Sequence, residues 1–392
     1  MRFGAMRVAI SILFIMVGVL MSAWAAIAPY AKARIGAGDS LFGGVILCLG
    51  VGSVLAMQLT GAMLYKMREK TIAWVAVLLL IVCMPMLALA TCALELALTL
   101  FFVGVGLGTL DILMNHQAAT VEVKAKRPLM SSFHAWFSVG GFIGALIGGE
   151  LLDSSLTPLL VIGILLVLVT LPFLWAQKFF EPEVAVPVDS GLSQSSWFVL
   201  PKGSVTIAAI LCSVIFLAEG AILDWSSVFL VQTGKLTSER ASLGYASFAG
   251  AMMVFRFTGD AIVKRLGRPL VLQAGSVLAS LGLFMVAFGS EAWLALTGFA
   301  LVGIGSANVV PILFSSISHQ RLMTPAAALT AMTTFGYAGM LLGPAIIGWV
   351  SEFSGMTHAL AFVAVLLICV ALLGSRIPLQ IEDKSAAAIA VS

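Results

Sequence analysis

The chain has 392 residues, 61% of them hydrophobic and 10% charged, with a formal net charge of +3. A soluble domain carries roughly 25% charged residues, so this composition excludes a water-soluble enzyme, and so small a net charge does not suggest a nucleic-acid surface. The length suits one membrane unit or two helical halves, with no room for a separate soluble domain.

Twelve apolar runs follow in chain order, at residues 8–31, 40–65, 71–93, 96–121, 129–152, 158–177, 204–232, 241–263, 270–289, 292–317, 326–350 and 357–375. Each is close to or above the ~20 helical residues that cross a ~30 Å hydrocarbon core. A period-2 barrel pattern is lacking, and lipid requires internally paired backbone, so the runs predict an all-α membrane protein of twelve transmembrane helices. The first run, with its basic front and small residues near Ala23, has the look of a signal peptide. It is longer than the usual 7–15-residue apolar core, and eleven more runs follow, so we expect it to be retained as span 1.

Basic residues alternate across the gaps. Both termini and the gaps after spans 2, 4, 6, 8 and 10 hold Arg2, Arg7, Lys66, Arg68, Lys124, Lys126, Arg127, Lys178, Lys202, Lys264, Arg265, Arg268, Arg321 and Arg376, among others. The opposite gaps hold Lys32, Arg34, Lys235 and Arg240, and Arg256 lies inside span 8. The positive-inside rule then puts both termini in the cytoplasm of a cell with this chain in its inner membrane. Cys48, Cys83, Cys92, Cys212 and Cys369 fall in spans or at their edges, without a CxxC or Cys/His cluster. Disulfides and metal sites are therefore not expected.

The longest polar stretch, 178–203, carries Pro182, Pro187 and Pro201 and reads as a cytoplasmic linker. It divides the chain into an N-terminal six-helix half (1–177) and a C-terminal one (204–392). The two halves echo each other at an offset of about 200 residues. Val103-Gly104-Val105-Gly106 matches Val302-Gly303-Ile304-Gly305, and Gly140, Gly144 and Gly149 match Gly339, Gly343 and Gly348. A shared offset around a central linker predicts duplication, a recurring transporter design with the site between the halves. Gly140, Gly144 and Gly148 sit four apart on one face of span 5, which lets another backbone approach closely.

Over nearly its full length the pattern resembles the major facilitator superfamily: two six-span halves, a central linker and basic turns after spans 2 and 8. The first turn, Gly61 to Arg68, departs from the family's pattern, with Tyr65 where an acid is usual and Arg68 where glycine is usual. The second keeps Asp260 and the cluster Lys264-Arg265-Leu266-Gly267-Arg268. Ser22-Ala23-Trp24, Asp111 with Asn115, Met130-Ser131-Ser132-Phe133-His134 and Asp224-Trp225-Ser226 resemble a bacterial branch related to the fucose permeases. In fucose permeases an acid of span 4 is implicated in proton coupling, and the resemblance puts Asp111 in that position.

Ionisable residues inside spans are costly and point to function. Asp111 stands near the middle of span 4 with no Lys or Arg at its depth in the first half, so reversible protonation is the cheaper way to tolerate it. Asn115, Ala118 and Glu122 continue its stripe as an expected polar track to the cytoplasm; an interhelical hydrogen-bond clamp is the plain alternative. Glu219 and Asp224 are five residues apart and cannot aim at one point from a regular helix. Either span 7 unwinds at Gly220, or Glu219 serves a cavity and Asp224 an outer gate, with Trp225 beside it as an alternative interfacial anchor. Asn308, three residues before Pro311, marks a cavity-lining break or a simple kink. Trp24 stacks on a sugar ring or fills the bundle. Arg256 pairs with Asp260 one turn on or bridges to a neighbouring helix. His134 and His116 are core hydrogen-bonders or titrating groups.

Trp24, Asp111, Asn115, Glu219, Trp225 and Asn308 are thus the candidates for substrate binding. Asp111 and Glu219 are those for proton coupling, and Glu122, Arg127, His134, Asp224, Arg256 and Asp260 those for gating. A phosphate-binding loop, HExxH and a nucleophile signature are all lacking, so neither enzyme chemistry nor a cofactor is expected. The expected function is secondary active transport of a sugar-like solute by alternating access, with a proton or other ion, by a monomer. Drug export is the alternative, since Gly144–Gly149 resembles the antiporter signature with Ala145 in place of its proline. A non-transporting sensor or scaffold is the alternative from another class.

Overall fold

The computed structural model describes residues 2–64, 66–126, 129–180, 200–316 and 322–377. The first half holds α1 (Arg2–Arg34), α2 (Asp39–Met63), α3 (Glu69–Leu87), α4 (Ala93–Ala125), α5 (Met130–Asp153) and α6 (Pro158–Ala176). The second half holds α7 (Ser204–Gln232), α8 (Leu243–Phe257), α9 (Gly259–Leu266), α10 (Arg268–Phe288), α11 (Ala292–Ser306), α12 (Val309–Ser316), α13 (Pro325–Ser354) and α14 (Met356–Gly374). No strand occurs among the described residues. Eleven helical segments are long and apolar enough to cross a membrane when α11 and α12 count as one, and the pair α8–α9 makes a twelfth. Most of the 178–203 linker lies outside the described residues, as do Tyr65, Arg127 and Arg321.

One span departs from the continuous helix expected, and another is broken where Asn308 and Pro311 marked a break or kink. Span 8 bends by 64° between Phe257 and Gly259, and span 10 is interrupted at Ala307 and Asn308. The two breaks meet: Asn308 Nδ2 donates to the carbonyl of Phe255 at 3.2 Å, covering a backbone acceptor near the bend. A side chain at Gly259 would collide with Asn308 Oδ1. Span 7, conversely, stays helical through Gly220, so the unwinding offered as one option does not occur.

The glycine repeat becomes the same pair of close contacts in each half. A Cβ on Gly140 of α5 would meet the Ile15 carbonyl of α1, and one on Gly339 of α13 would meet the Ser213 carbonyl of α7. Likewise Gly104 of α4 lies against the Leu49 carbonyl of α2, and Gly303 of α11 against the Phe248 carbonyl of α8. Backbones this close maximise dispersion contact, which must drive helix association where lipid is as apolar as leucine. Helices α2 with α13, α5 with α8 and α1 with α7 join the halves. Helices α3, α6, α10 and α14 pack mainly within their own halves and turn residues such as Val82, Leu171, Leu281 and Leu372 outward.

Candidate functional site

A cavity of about 1250 Å³ lies between the halves. Its walls near the mouth come from Met130 and Ser131 at the start of α5, Lys264 of α9 and Arg268 of α10. All stand at the bundle end whose turns carry most of the basic residues, here called the basic face. Deeper walls come from Asn115, His134, Phe216, Arg256, Asn308 and Tyr337. Both halves therefore contribute.

The opposite end, the far face, is closed by polar contacts. Trp24 Nε1 donates to Asp224 Oδ1 at 2.9 Å, joining α1 to α7. Asp39 pairs with Lys32 at 2.8 Å and accepts from Gln232 of α7 at 2.8 Å and from Ser351 of α13. The backbone N–H of Ser40 donates to Glu352 at 3.0 Å, and Arg240 pairs with Asp153 at 3.0 Å. Hydrogen bonds from the Thr237 side chain, its own backbone and Tyr30 hold the Glu239 carboxyl below its usual range. Beneath this layer, Phe42 packs 6.0 Å from the Trp24 ring and edge-on to Trp225 at 5.7 Å.

Of the residues expected from sequence, Asn115, His134, Arg256, Asp260 and Asn308 line the cavity. Asp111 stands one turn beyond Asn115, whose Nδ2 donates to the Asp111 carbonyl at 2.9 Å and to its carboxylate at 3.3 Å. Asp111 is partly exposed and within electrostatic reach of Tyr337 across the seam. Arg256 Nη1 donates to Ser138 of α5 at 3.0 Å, and its Nη2 lies 3.7 Å from Glu219 Oε2. Among the described residues it makes no pair with Asp260, which is exposed, so of the two readings the bridge between helices is the one formed.

Three expectations are corrected. Trp24 and Trp225, read as substrate-binding, lie in the closed end and not on the cavity wall. Trp24 is 2% exposed and bound to Asp224, and Trp225 is fully buried. The track from Asp111 to the basic face is interrupted, because Ala118 is fully buried. Glu122 at its end accepts the backbone N–H groups of Leu129 and Met130 at 2.6 and 2.7 Å. It caps α5, satisfying donors that the helix start leaves free, and does not face the cavity.

Sequence reading missed Ser138, Tyr337 and the Asp39 cluster. It also missed Glu69, which is buried at the start of α3, 2.9 Å from His116 Nδ1 and accepting from Gln117 at 2.5 Å. A usable signal existed for Glu69 and Asp39, since both are acids in a first helical turn, where the helix dipole favours them. Ser138 and Tyr337 left no such mark among their apolar neighbours.

The Major Facilitator Superfamily profile matches residues 9–321. An uncharacterized MFS-type transporter of Yersinia pestis is 40% identical over 365 residues, covering 93% of this chain and 94% of the relative. Among solved structures, the nucleoside transporter NupG superposes with a TM-score of 0.72 at 16% identity, over 94% of this chain and 98% of its own. The D-xylose-proton symporter does so with a TM-score of 0.70 at 14% identity, over 95% and 98%. At such identities the two structures speak for the fold alone. The profile match, the relative and the twelve-span bundle agree: this chain is a multi-pass membrane transporter belonging to the major facilitator superfamily.

Proposed function

We propose that the protein is a secondary active transporter that moves a small polar, sugar-like solute by alternating access, coupled to protons through Asp111 and Glu219. The observation that carries this reading is the one-sided cavity: polar groups from both halves set in a largely apolar wall, a mouth on the basic face and a sealed far face. A channel would need a continuous polar path, and the aromatic layer of Trp24, Phe42 and Trp225 interrupts it.

By the positive-inside rule the basic face is cytoplasmic, and on that reading the cavity opens inward. The halves 1–177 and 204–392 then rock about their seam while the 178–203 linker spans them on the cytoplasmic side. Proton coupling draws support from Asp111, a carboxyl at mid-bundle depth held by a neutral Asn115 and without a basic partner in its half. The sugar-like class draws support from the fucose-permease resemblance of its motifs.

The test is uptake into proteoliposomes under an imposed pH gradient, with a panel of labelled sugars and polyols. Asp111→Asn mimics the protonated acid and is expected to abolish uphill accumulation while counterflow persists. Accumulation equal to the parent's removes Asp111 from coupling, and net outward movement reverses the direction to export. Cysteine labelling at Ser190→Cys and Lys235→Cys in intact cells reads the sidedness: reaction at 190 without reaction at 235 overturns it.

A further inference from the structure

An arginine inside a span is costly and persists where it meets a partner or a cargo. The protein itself satisfies Arg256 only in part. Its Nη2 stands 3.7 Å from Glu219, beyond hydrogen-bond range, and the hydrogen bond it makes is to Ser138 of the other half. Glu219 is slack in the same way, with Oε1 buried and without a hydrogen-bond partner among the described residues. A guanidinium and a carboxylate serving only each other close to about 2.8 Å, often through two parallel bonds. Here the pair stays open beside a cavity that Arg256 lines. The other charged groups on the wall lean the same way, with Lys264 and Arg268 against Asp260, and Arg268 Nη1 is buried without a hydrogen-bond partner among the described residues.

From this geometry we infer that the solute carries a carboxylate, held by Arg256 beside Ser138 at the seam between the halves, and that a proton on Glu219 accompanies it. The inference rests on the transport reading above and narrows its polar solute to acidic sugars and other small hydroxy acids. The charges balance. A proton from solution bonds to the Glu219 carboxylate, its pairing with Arg256 is lost, and the guanidinium turns its donors to the solute carboxylate. Arg256 faces one negative charge before and one after, so no uncompensated charge is left in the apolar bundle. Linkage then makes proton and carboxylate raise each other's affinity by the same factor. The other groups within electrostatic reach are Cys212 on α7, Tyr245 on α8, which also senses Asp224, and His134 on α5 beside Arg256; Tyr337 on α13 interacts with Cys212 and with Asp111 on α4.

The experiment uses the purified full-length chain and matched probes: D-glucuronate against D-glucose, D-gluconate against D-glucitol, and lactate against propane-1,2-diol. Thermal shift and calorimetry read binding as pH falls from about 8 to about 6, since a group that takes up a proton with the solute makes its binding depend on pH. At least one acid is expected to bind about tenfold or more tighter than its neutral counterpart, and tighter at the lower pH. Arg256→Gln is expected to erase that preference. Glu219→Gln, the analogue of the protonated acid, is expected to bind the carboxylate with a flattened pH dependence. Equal binding of the neutral probes, no binding of any acid, or an Arg256→Gln variant with the parent's preference overturns the inference. Should Arg256→Gln fail to fold, a pH-independent carboxylate affinity in the parent overturns it equally. Proteoliposome uptake of the same probes separates the two readings. Movement of neutral probes alone keeps transport and sinks the carboxylate. Arg256-dependent binding of an acid that is never moved keeps the site and sinks transport.

Discussion

Asp39 opens α2 on the far face and offers a direct test of what holds that face shut. Its carboxylate pairs with Lys32 of its own half and accepts from Gln232 and Ser351 of the other. Only the last two bonds break when the far face opens, since Lys32 travels with Asp39. A hydrogen bond to a charged group contributes about 1.5–3 kcal/mol, with the lower end fitting a group that water still reaches. The Asp39 side chain is 14% exposed. Two bonds at the lower end favour the closed far face by about 3 kcal/mol, a population factor of roughly 150. Asp39→Ala removes both. The assay is pulsed dipolar spectroscopy between spin labels at Ser155→Cys and Ser290→Cys, exposed far-face positions in opposite halves, after replacement of the five native cysteines. The parent is expected to give one short distance, and Asp39→Ala a second, longer population, with Asp39→Asn between them. A distribution superimposable on the parent's, in a variant that melts normally, refutes the assignment of Asp39 as a latch.

Other outcomes follow from single contacts. Trp24→Phe removes the donor to Asp224, which is 7% exposed, and leaving that acceptor unmet is expected to cost about 1–3 kcal/mol. The melting transition in detergent should fall, and adding Asp224→Asn should restore part of the loss; an unchanged transition removes the bond from the account. Gly140→Val forces α5 off the Ile15 carbonyl and is expected to cost about 1–3 kcal/mol or more. Gly61→Ala meets open space and is expected to melt like the parent, so similar transitions for the two variants would contradict the packing scheme.

Span number and span limits were legible in the sequence because lipid leaves the backbone one economical choice, and hydropathy reports it directly. The offset repeat was legible for a related reason. A glycine that admits another backbone has no substitute, so Gly104 and Gly303, or Gly140 and Gly339, keep the same job in both halves. The sequence also marked Asn115, His134, Arg256, Asp260 and Asn308, polar groups that an apolar span carries for a purpose, and all five line the cavity. It did not show which way each helix is turned. Trp24 was read as a wall residue, yet its partner is Asp224, 200 residues away, and Ala118 and Glu122 were read as a track that packing closes. The bend at Thr258 escaped as well, since a bent apolar run has the hydropathy of a straight one, whereas the break at Asn308 was marked by Pro311 three residues on. In water, an apolar stripe would have revealed the buried face of each helix. In a membrane both faces are apolar, so rotation, partners and the open side of the cavity are decided by close packing and a few long-range polar contacts, and these exist only in the tertiary structure.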